Sequence, residues 1–291
     1  MTIELVVAAD AEAAAALAAA RIAERIAAAA GGGFALGVSG GRTPGRMFRL
    51  LAERDLPWEA VEAWQADERI APPGSPRNIG FVESGLEDRL YMHWMPVEEE
   101  DLDRAMADYA ASLPEPFDLI HLGLGADGHT ASLIPGHPAA SVRDRAVAMS
   151  EPYQGHRRMT LTIPVLESAR ELLWLVTGEE KREALARLLA GDDTIPAGAV
   201  RPRAALVVAD REAAISSIAT ARGAVGCEPP CGGPKVAACS WMRRRAPRSA
   251  APVCSRWPSA RFSSTTISTA CSTSLWPTGI SRRRLSACSR K

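Results

Sequence analysis

No cysteine occurs before Cys227, and no histidine after His156. The six cysteines (Cys227, Cys231, Cys239, Cys254, Cys271, Cys288) and the five histidines therefore occupy separate parts of the 291-residue chain. Acidic residues are nearly missing from one part as well. From residue 215 onward there are 13 Lys and Arg against a single acid, Glu228, a net charge of +12. The chain holds 34 basic and 34 acidic residues, so the part before 215 keeps 21 and 33, a net −12. A neutral average thus hides an acidic body joined to a basic tail. A body without cysteine forms no disulfide and needs no oxidising compartment. The N-terminus lacks a basic stretch followed by an apolar core, and no apolar run reaches the roughly 18 residues that span a bilayer. These absences lead to the expectation of a cytoplasmic protein that does not enter a membrane.

The tail also has no Asp, Asn, Gln, His or Tyr. What remains resembles a GC-rich coding region read out of frame. Its apolar residues keep neither the 3.6 nor the 2.0 period that would create a face to bury. Residues 215–291 are therefore expected to be a disordered, non-native tail, consistent with a shifted reading frame, and residues 1–214 the folded domain. Arg243, Arg244 and Arg245 or Arg282, Arg283 and Arg284 would suit a nucleic acid, but basic runs alone are weak signals, and no such partner is expected. Cys227 and Cys231 have metal-like spacing without a second pair or a nearby His, so no zinc site is expected either.

The body is rich in short apolar runs alternating with helical patterns. Residues 11–30 form an alanine-rich segment with Leu17, Ile22 and Ile26 near helical spacing, ended by glycines. A strand is predicted at 34–38, followed by a helix from Pro44 with Met47, Leu50 and Leu51 on its inner side. The alternation continues with strands at 61–66 and 91–95 and helices at 78–90 and 98–112, the latter with Leu102, Met106 and Tyr109 at core spacing. Residues 117–122 are a nearly continuous apolar run, as in a strand buried on both faces. Further strands are read at 146–149, 159–163, 171–176 and 204–208, and a helix at 179–189. This order predicts an α/β fold: one mostly parallel sheet with helices on both faces.

In such sheets ligands gather beyond the carboxyl ends of the strands. Three loops there carry polar chemistry. In Ser39-Gly40-Gly41-Arg42-Thr43-Pro44, glycines free backbone N–H groups to face an anion, a helix N-terminus follows, and Arg42 adds a fork of donors. The same residues also suit a plain tight turn. Asp67-Glu68-Arg69 is a charged triplet of the kind usually solvated on a surface. The segment 123–132 (Gly-Leu-Gly-Ala-Asp-Gly-His-Thr-Ala-Ser) places Asp127 two residues before His129 where glycines allow close approach to a ligand. His129 could take a proton from water near neutral pH, with Asp127 holding its tautomer. His121, His137 and His93 are read as hydrogen-bonded structural residues, and His156, beside Arg157 and Arg158, is left open.

Taken together, these loops, with Ser75-Pro76-Arg77-Asn78, Arg158-Met159-Thr160-Leu161-Thr162 and Gly178-Glu179-Glu180-Lys181, resemble in content and order the 6-phosphogluconolactonases. The resemblance spans nearly all of residues 1–213. It implies a modified Rossmann-like sheet, shared with glucosamine-6-phosphate deaminases and ribose-5-phosphate isomerases. The deaminases are the nearest alternative, with a Gly-Asp-Gly-His segment of their own. Asp-Glu-Arg where they have Asp-Glu-Tyr, and Thr-Ala-Ser-Leu-Ile-Pro after His129, favour a lactonase. A non-catalytic sugar-phosphate sensor is the other alternative.

The resemblance implies hydrolysis of 6-phospho-D-glucono-1,5-lactone by a monomer, with no cofactor and no metal. His129 would be the base, Asp127 its orienter, and Arg69 the group that steadies the oxyanion or grips the phosphate. Gly40, Gly41 and Arg42 would cradle the phosphate, with Arg158 and Lys181 as further contacts. A family member should end with a helix packed on the sheet soon after residues 210–213, and the sequence beyond Ala214 does not read as one.

Overall fold

The computed structural model describes residues 3–29, 32–72, 74–75, 77–80, 86 and 88–215. Residues 216–291 of the expected tail, and residues 81–85 and 87 of the helix read at 78–90, lie outside the described residues.

Seven strands form one parallel sheet: β1 (Ile3–Ala8), β2 (Phe34–Val38), β3 (Val61–Gln65), β5 (Tyr91–His93), β6 (Leu119–Leu122), β9 (Leu172–Val176) and β10 (Ala205–Asp210). Their spatial order is β1-β10-β9-β6-β2-β3-β5. From β2 the chain moves outward through β3 to β5, then returns to β6 on the other side of β2 and moves outward again. The reversal falls between β2 and β6, where loops leave in opposite directions and open a crevice. Strand β1 was not anticipated from sequence. It pairs with β10 from Ile3 opposite Ala205 to Ala8 opposite Asp210.

Side chains alternate between the two faces, as the pleat requires. On one face Leu119 of β6, Leu173 and Leu175 of β9 and Val208 of β10 meet helices α1 (Ala11–Ala28) and α2 (Arg42–Ala52). On the other, Ile120 and Leu122, Trp174 and Val176, and Val207 and Ala209 meet Tyr109 of α3 (Leu102–Ala111) and Leu185 and Leu188 of α5 (Arg182–Ala190). Helix α4 (Ile163–Ser168) lies on this second side through Ile163 and Leu166.

Asp10 caps α1 by accepting from the Ala13 N–H at 2.8 Å. The buried side of α1 is Ala14, Ala15, Ala18, Ala19, Ile22, Ala23 and Ile26. Leu17, expected there, is 42% exposed, because five residues before Ile22 the helix has turned about 140° away. On α2 the inner residues are Met47, Phe48 and Leu51, with Leu50 only half-buried.

The strands read at 146–149 and 159–163 are not part of the parallel sheet. They are β7 (Val147–Tyr153) and β8 (His156–Leu161), which pair antiparallel with each other, β8 also pairing antiparallel with β4 (Asp67–Arg69), in a separate three-stranded sheet. The reason is local. Only Gln154 and Gly155 join β7 to β8, with φ of +52° and +84°, and a two-residue turn with positive φ closes a hairpin. Parallel neighbours would need a crossover of a dozen residues or more. Among the described residues no helix is long and apolar enough to cross a membrane.

Candidate active site

One cavity of about 680 Å³ opens at the carboxyl ends of the parallel strands. Ser39, Gly40 and Gly41 enter it from the end of β2, Arg69 from β4 just beyond β3, and Gly123, Gly125 and His129 from the loop after β6. Lys181 comes from the segment after β9, and Arg158 from β8. Of the residues singled out in the sequence, His129, Arg69, Gly40, Gly41, Arg42, Arg158 and Lys181 all border this cleft, although Arg42 is exposed at the start of α2. Asp127 stands behind His129 rather than in the wall.

The 123–129 loop owes its shape to glycine. A Cβ on Gly125 would collide with the His129 ring and the Asp127 carboxylate, and Gly128, at φ +87°, would meet Ile195. The Gly125 N–H donates to the His129 carbonyl at 2.8 Å, so the loop folds back on itself. This fold places His129 Nδ1 2.5 Å from Asp127 Oδ1. With Nδ1 facing a carboxylate the ring proton belongs there, and Nε2 is left as the acceptor. The other carboxylate oxygen, Oδ2, accepts from the Tyr153 hydroxyl at 3.1 Å. Partial burial raises the Asp127 pKa. The hydrogen bond and charge of His129, its backbone N–H and the Tyr153 hydroxyl outweigh this and hold the carboxyl well below the usual range.

The Asp67-Glu68-Arg69 triplet is not a solvated loop. Asp67 is 5% exposed and Glu68 1%, while Arg69 is half-buried. Glu68 accepts from the N–H groups of Arg69, Asn78 and Ile79 at 2.7–2.8 Å and from Gln65 Nε2 at 2.9 Å. It is the staple that ties the 78–79 segment to the end of β3. Asp67 accepts from Ser132 Oγ at 2.7 Å, which anchors the far end of the histidine loop. Arg69, the third residue of the triplet, borders the cleft.

Arg158 stands across the ladder from Arg69 and is 5% exposed. Burial lowers its affinity for its proton, the nearby Asp67 charge acts against this, and Arg69 adds to it. Its guanidinium lies over the Tyr153 ring, 5.1 Å from the centroid.

The glycine turn at 40–41 answers two demands. A Cβ at Gly40 would sit 2.6 Å from Asn78 Cβ, so the close packing of Asn78 requires glycine there. Gly41 caps α2 at φ +138°. Ser39, 4% exposed, borders the cleft with its Oγ buried and without a hydrogen-bond partner among the described residues.

Sequence reasoning did not single out Tyr153, Thr177, Asp210 or Glu212 as cleft residues, although all four border it. The Gln154-Gly155 pair between two strand-like runs was the available signal for Tyr153. Three histidines read as structural are placed outside the cleft wall. His93 stacks on Trp64 at 4.2 Å and meets Glu62 at 2.7 Å. His121 is fully buried edge-on to Phe48, but neither of its ring nitrogens has a hydrogen-bond partner among the described residues, contrary to expectation. His137 lies 6.3 Å from the Tyr153 ring, its Nδ1 likewise unpartnered among those residues. His156, left open, is half-buried at the start of β8 and does not border the cleft. Among the described residues no group of three or more His, Cys, Asp or Glu is placed to hold a metal ion.

A parallel α/β sheet whose strand ends bring an Asp–His pair, two arginines and a glycine turn to one cleft is built to act on a small phosphorylated molecule. The chain belongs to the glucosamine-6-phosphate isomerase/6-phosphogluconolactonase family, whose model matches residues 9–209. It is 35% identical over 234 residues to 6-phosphogluconolactonase of Streptomyces coelicolor, covering 70% of this chain and 90% of that one. To 6-phosphogluconolactonase of a Synechocystis species it is 32% identical over 191 residues, covering 59% and 79%. The crystal structure of 6-phosphogluconolactonase from Thermotoga maritima is similar with a TM-score of 0.64 at 25% identity, covering 72% of this chain and 100% of that one.

Proposed function

We propose that this chain hydrolyses 6-phospho-D-glucono-1,5-lactone to 6-phosphogluconate, the hydrolytic step of the oxidative pentose phosphate pathway. The observation that carries this reading is the Asp127–His129 pair set in the same cleft as Arg69, Arg158, Lys181 and the glycine turn. His129 Nε2 takes a proton from a water molecule as it attacks the lactone carbonyl carbon. Asp127 stabilises the imidazolium that forms. Negative charge gathers on the carbonyl oxygen, where Arg69 is the candidate partner, unless it grips the phosphate instead. As the tetrahedral intermediate collapses, the ring C–O bond breaks and His129 returns the proton to the departing ring oxygen. Water is thus consumed, a hydroxyl and a carboxylic acid are formed, and the acid releases its proton to solvent to leave the carboxylate. Gly40, Gly41, Arg42, Arg158 and Lys181 hold the phosphate away from the reacting carbon.

The deaminase alternative is less well supported. After His129 the next acid in sequence is Asp144, and the intervening Thr130 and Ser132 are engaged with Gly123, Trp174 and Asp67. The test is lactone consumption, followed with freshly prepared substrate against its spontaneous opening. No acceleration over background, or release of ammonia from glucosamine 6-phosphate instead, overturns the reading.

We further propose a cytoplasmic monomer, since one chain supplies every residue assigned to proton transfer and phosphate binding and the body has no cysteine. Gel filtration checks the first point. The folded domain is taken to end near Ala214, and resequencing the coding DNA around that codon tests whether a shifted frame produced the basic tail.

A further inference from the structure

Tyr153 occupies a position that the hydrolytic scheme does not use. It is the last residue of β7, held at the tip of the hairpin by the tight Gln154-Gly155 turn. Its hydroxyl donates to Asp127 Oδ2 at 3.1 Å, the oxygen that His129 does not take. Its ring meets the His129 ring edge-on at 5.5 Å and carries the Arg158 guanidinium at 5.1 Å. Its backbone carbonyl also faces Arg158 Nη2 at 3.4 Å. One side chain therefore touches the orienting carboxylate, the base and a cation of the anion-binding side.

We propose that Tyr153 is a positioning residue that couples the two halves of the site: its hydroxyl fixes Asp127, and its ring fixes Arg158. The hydroxyl argument rests on free rotation. A carboxylate on an exposed loop can turn about its Cβ–Cγ bond, and the two donors of His129, its ring Nδ1 and its backbone N–H, both meet Oδ1 and leave Oδ2 unheld. A donor on Oδ2 stops that turn, so that Oδ1 stays in line with Nδ1 and Nε2 keeps its aim. Burial and the neighbouring Asp127 charge keep the phenol protonated, as a donor must be. The ring argument rests on desolvation. Arg158 is buried with its Nε lacking a hydrogen-bond partner among the described residues, and the aromatic face supplies an electrostatic surface that solvent would otherwise provide.

The two functions separate by substitution. This inference rests on the lactonase reading, so both variants are compared with wild-type protein of demonstrated lactonase activity, and a wild type without activity sinks that reading first. Tyr153→Phe removes the hydroxyl and keeps the ring: kcat should fall about tenfold with KM within about twofold. Tyr153→Leu removes both, and KM should rise a further fivefold or so, with inorganic phosphate weakened as a competitive inhibitor by the same factor. Circular dichroism and thermal melts establish the folded fraction to which rates are normalised. The inference is overturned if Tyr153→Phe matches wild type in kcat. It is equally overturned if both variants lose kcat and KM together, without the rescue of KM that the phenyl ring should bring.

Discussion

Arg69 and Arg158 are cross-strand partners: they stand opposite each other in the antiparallel β4–β8 ladder, and both border the cleft. Like charges in that relation repel. Burial and this repulsion together disfavour the charged form of Arg158 despite the nearby Asp67 and Glu68, and an anion in the cleft favours it.

Replacing Arg158 by methionine, which keeps the length of the stem, should therefore raise the melting temperature of the ligand-free protein while weakening the enzyme. KM for the lactone should rise about tenfold or more, and inorganic phosphate should no longer stabilise the fold as it does in wild type. Differential scanning fluorimetry with and without phosphate reads both effects. A variant that melts lower than wild type and still gains the full phosphate shift contradicts this account.

His129→Ala should cost on the order of 10²-fold in kcat and leave phosphate affinity nearly unchanged, because the imidazole acts on water and not on the phosphoryl group. Asp127→Asn should fall in the same range for a different reason: an amide can donate to Nδ1 and so invite the wrong tautomer. Titration of 6-phosphogluconate by calorimetry, beside steady-state rates, separates chemistry from binding. Normal turnover in either variant would remove the residue from the mechanism.

Gly125→Ala is a stricter test of geometry, since it changes no polar group. The added methyl would occupy the space of the His129 ring and the Asp127 carboxylate. The pair should be pushed apart, with a kcat loss of about 10²-fold and a thermal midpoint changed far less than the rate. Near-wild-type activity would mean that the close approach of the loop is not required.

His121 makes a prediction about acid stability. Burial lowers its pKa to about 3 in the folded protein, against about 6.5 in an unfolded chain. Below about pH 6.5 the unfolded state binds a proton that the folded state refuses, so stability falls with pH until about 3. At pH 5 the loss is on the order of 2 kcal/mol. Substituting leucine should remove that slope and leave the lactonase rate at pH 7 largely intact. Urea unfolding at pH 7 and pH 5 measures it, and equal slopes in both proteins would refute the claim.

The parts of the fold with local signatures were legible in the sequence. The buried strand through Ile120 and Leu122, the glycine turn before α2 and the loop holding Asp127 and His129 declare themselves through apolar runs and glycine spacing. The separate sheet was not legible in the same way, because β4 is three residues long and its partner lies about 90 residues away. Nothing local to Asp67-Glu68-Arg69 distinguishes a buried, stapled strand from a charged surface turn. What decides it is Glu68 collecting the N–H groups of Asn78 and Ile79, a contact between segments. Tyr153 was missed for the same reason: its importance lies in Asp127, His129 and Arg158, none of which is its neighbour in helix or strand period.

The position of β10 has a consequence for biosynthesis. Among the described residues it is the last strand in sequence, yet it lies between β1 and β9, so the six-residue strand β1 meets its hydrogen-bonding neighbour there only once residues 205–210 emerge from the ribosome. Until then the nascent protein carries two open strand edges, at β1 and β9, and such edges invite mispairing. Closure of the sheet is thus postponed until residues 205–210 of the 291-residue chain are available, and a chain stalled or altered just ahead of that strand would be delivered to quality control with its first strand still unclaimed.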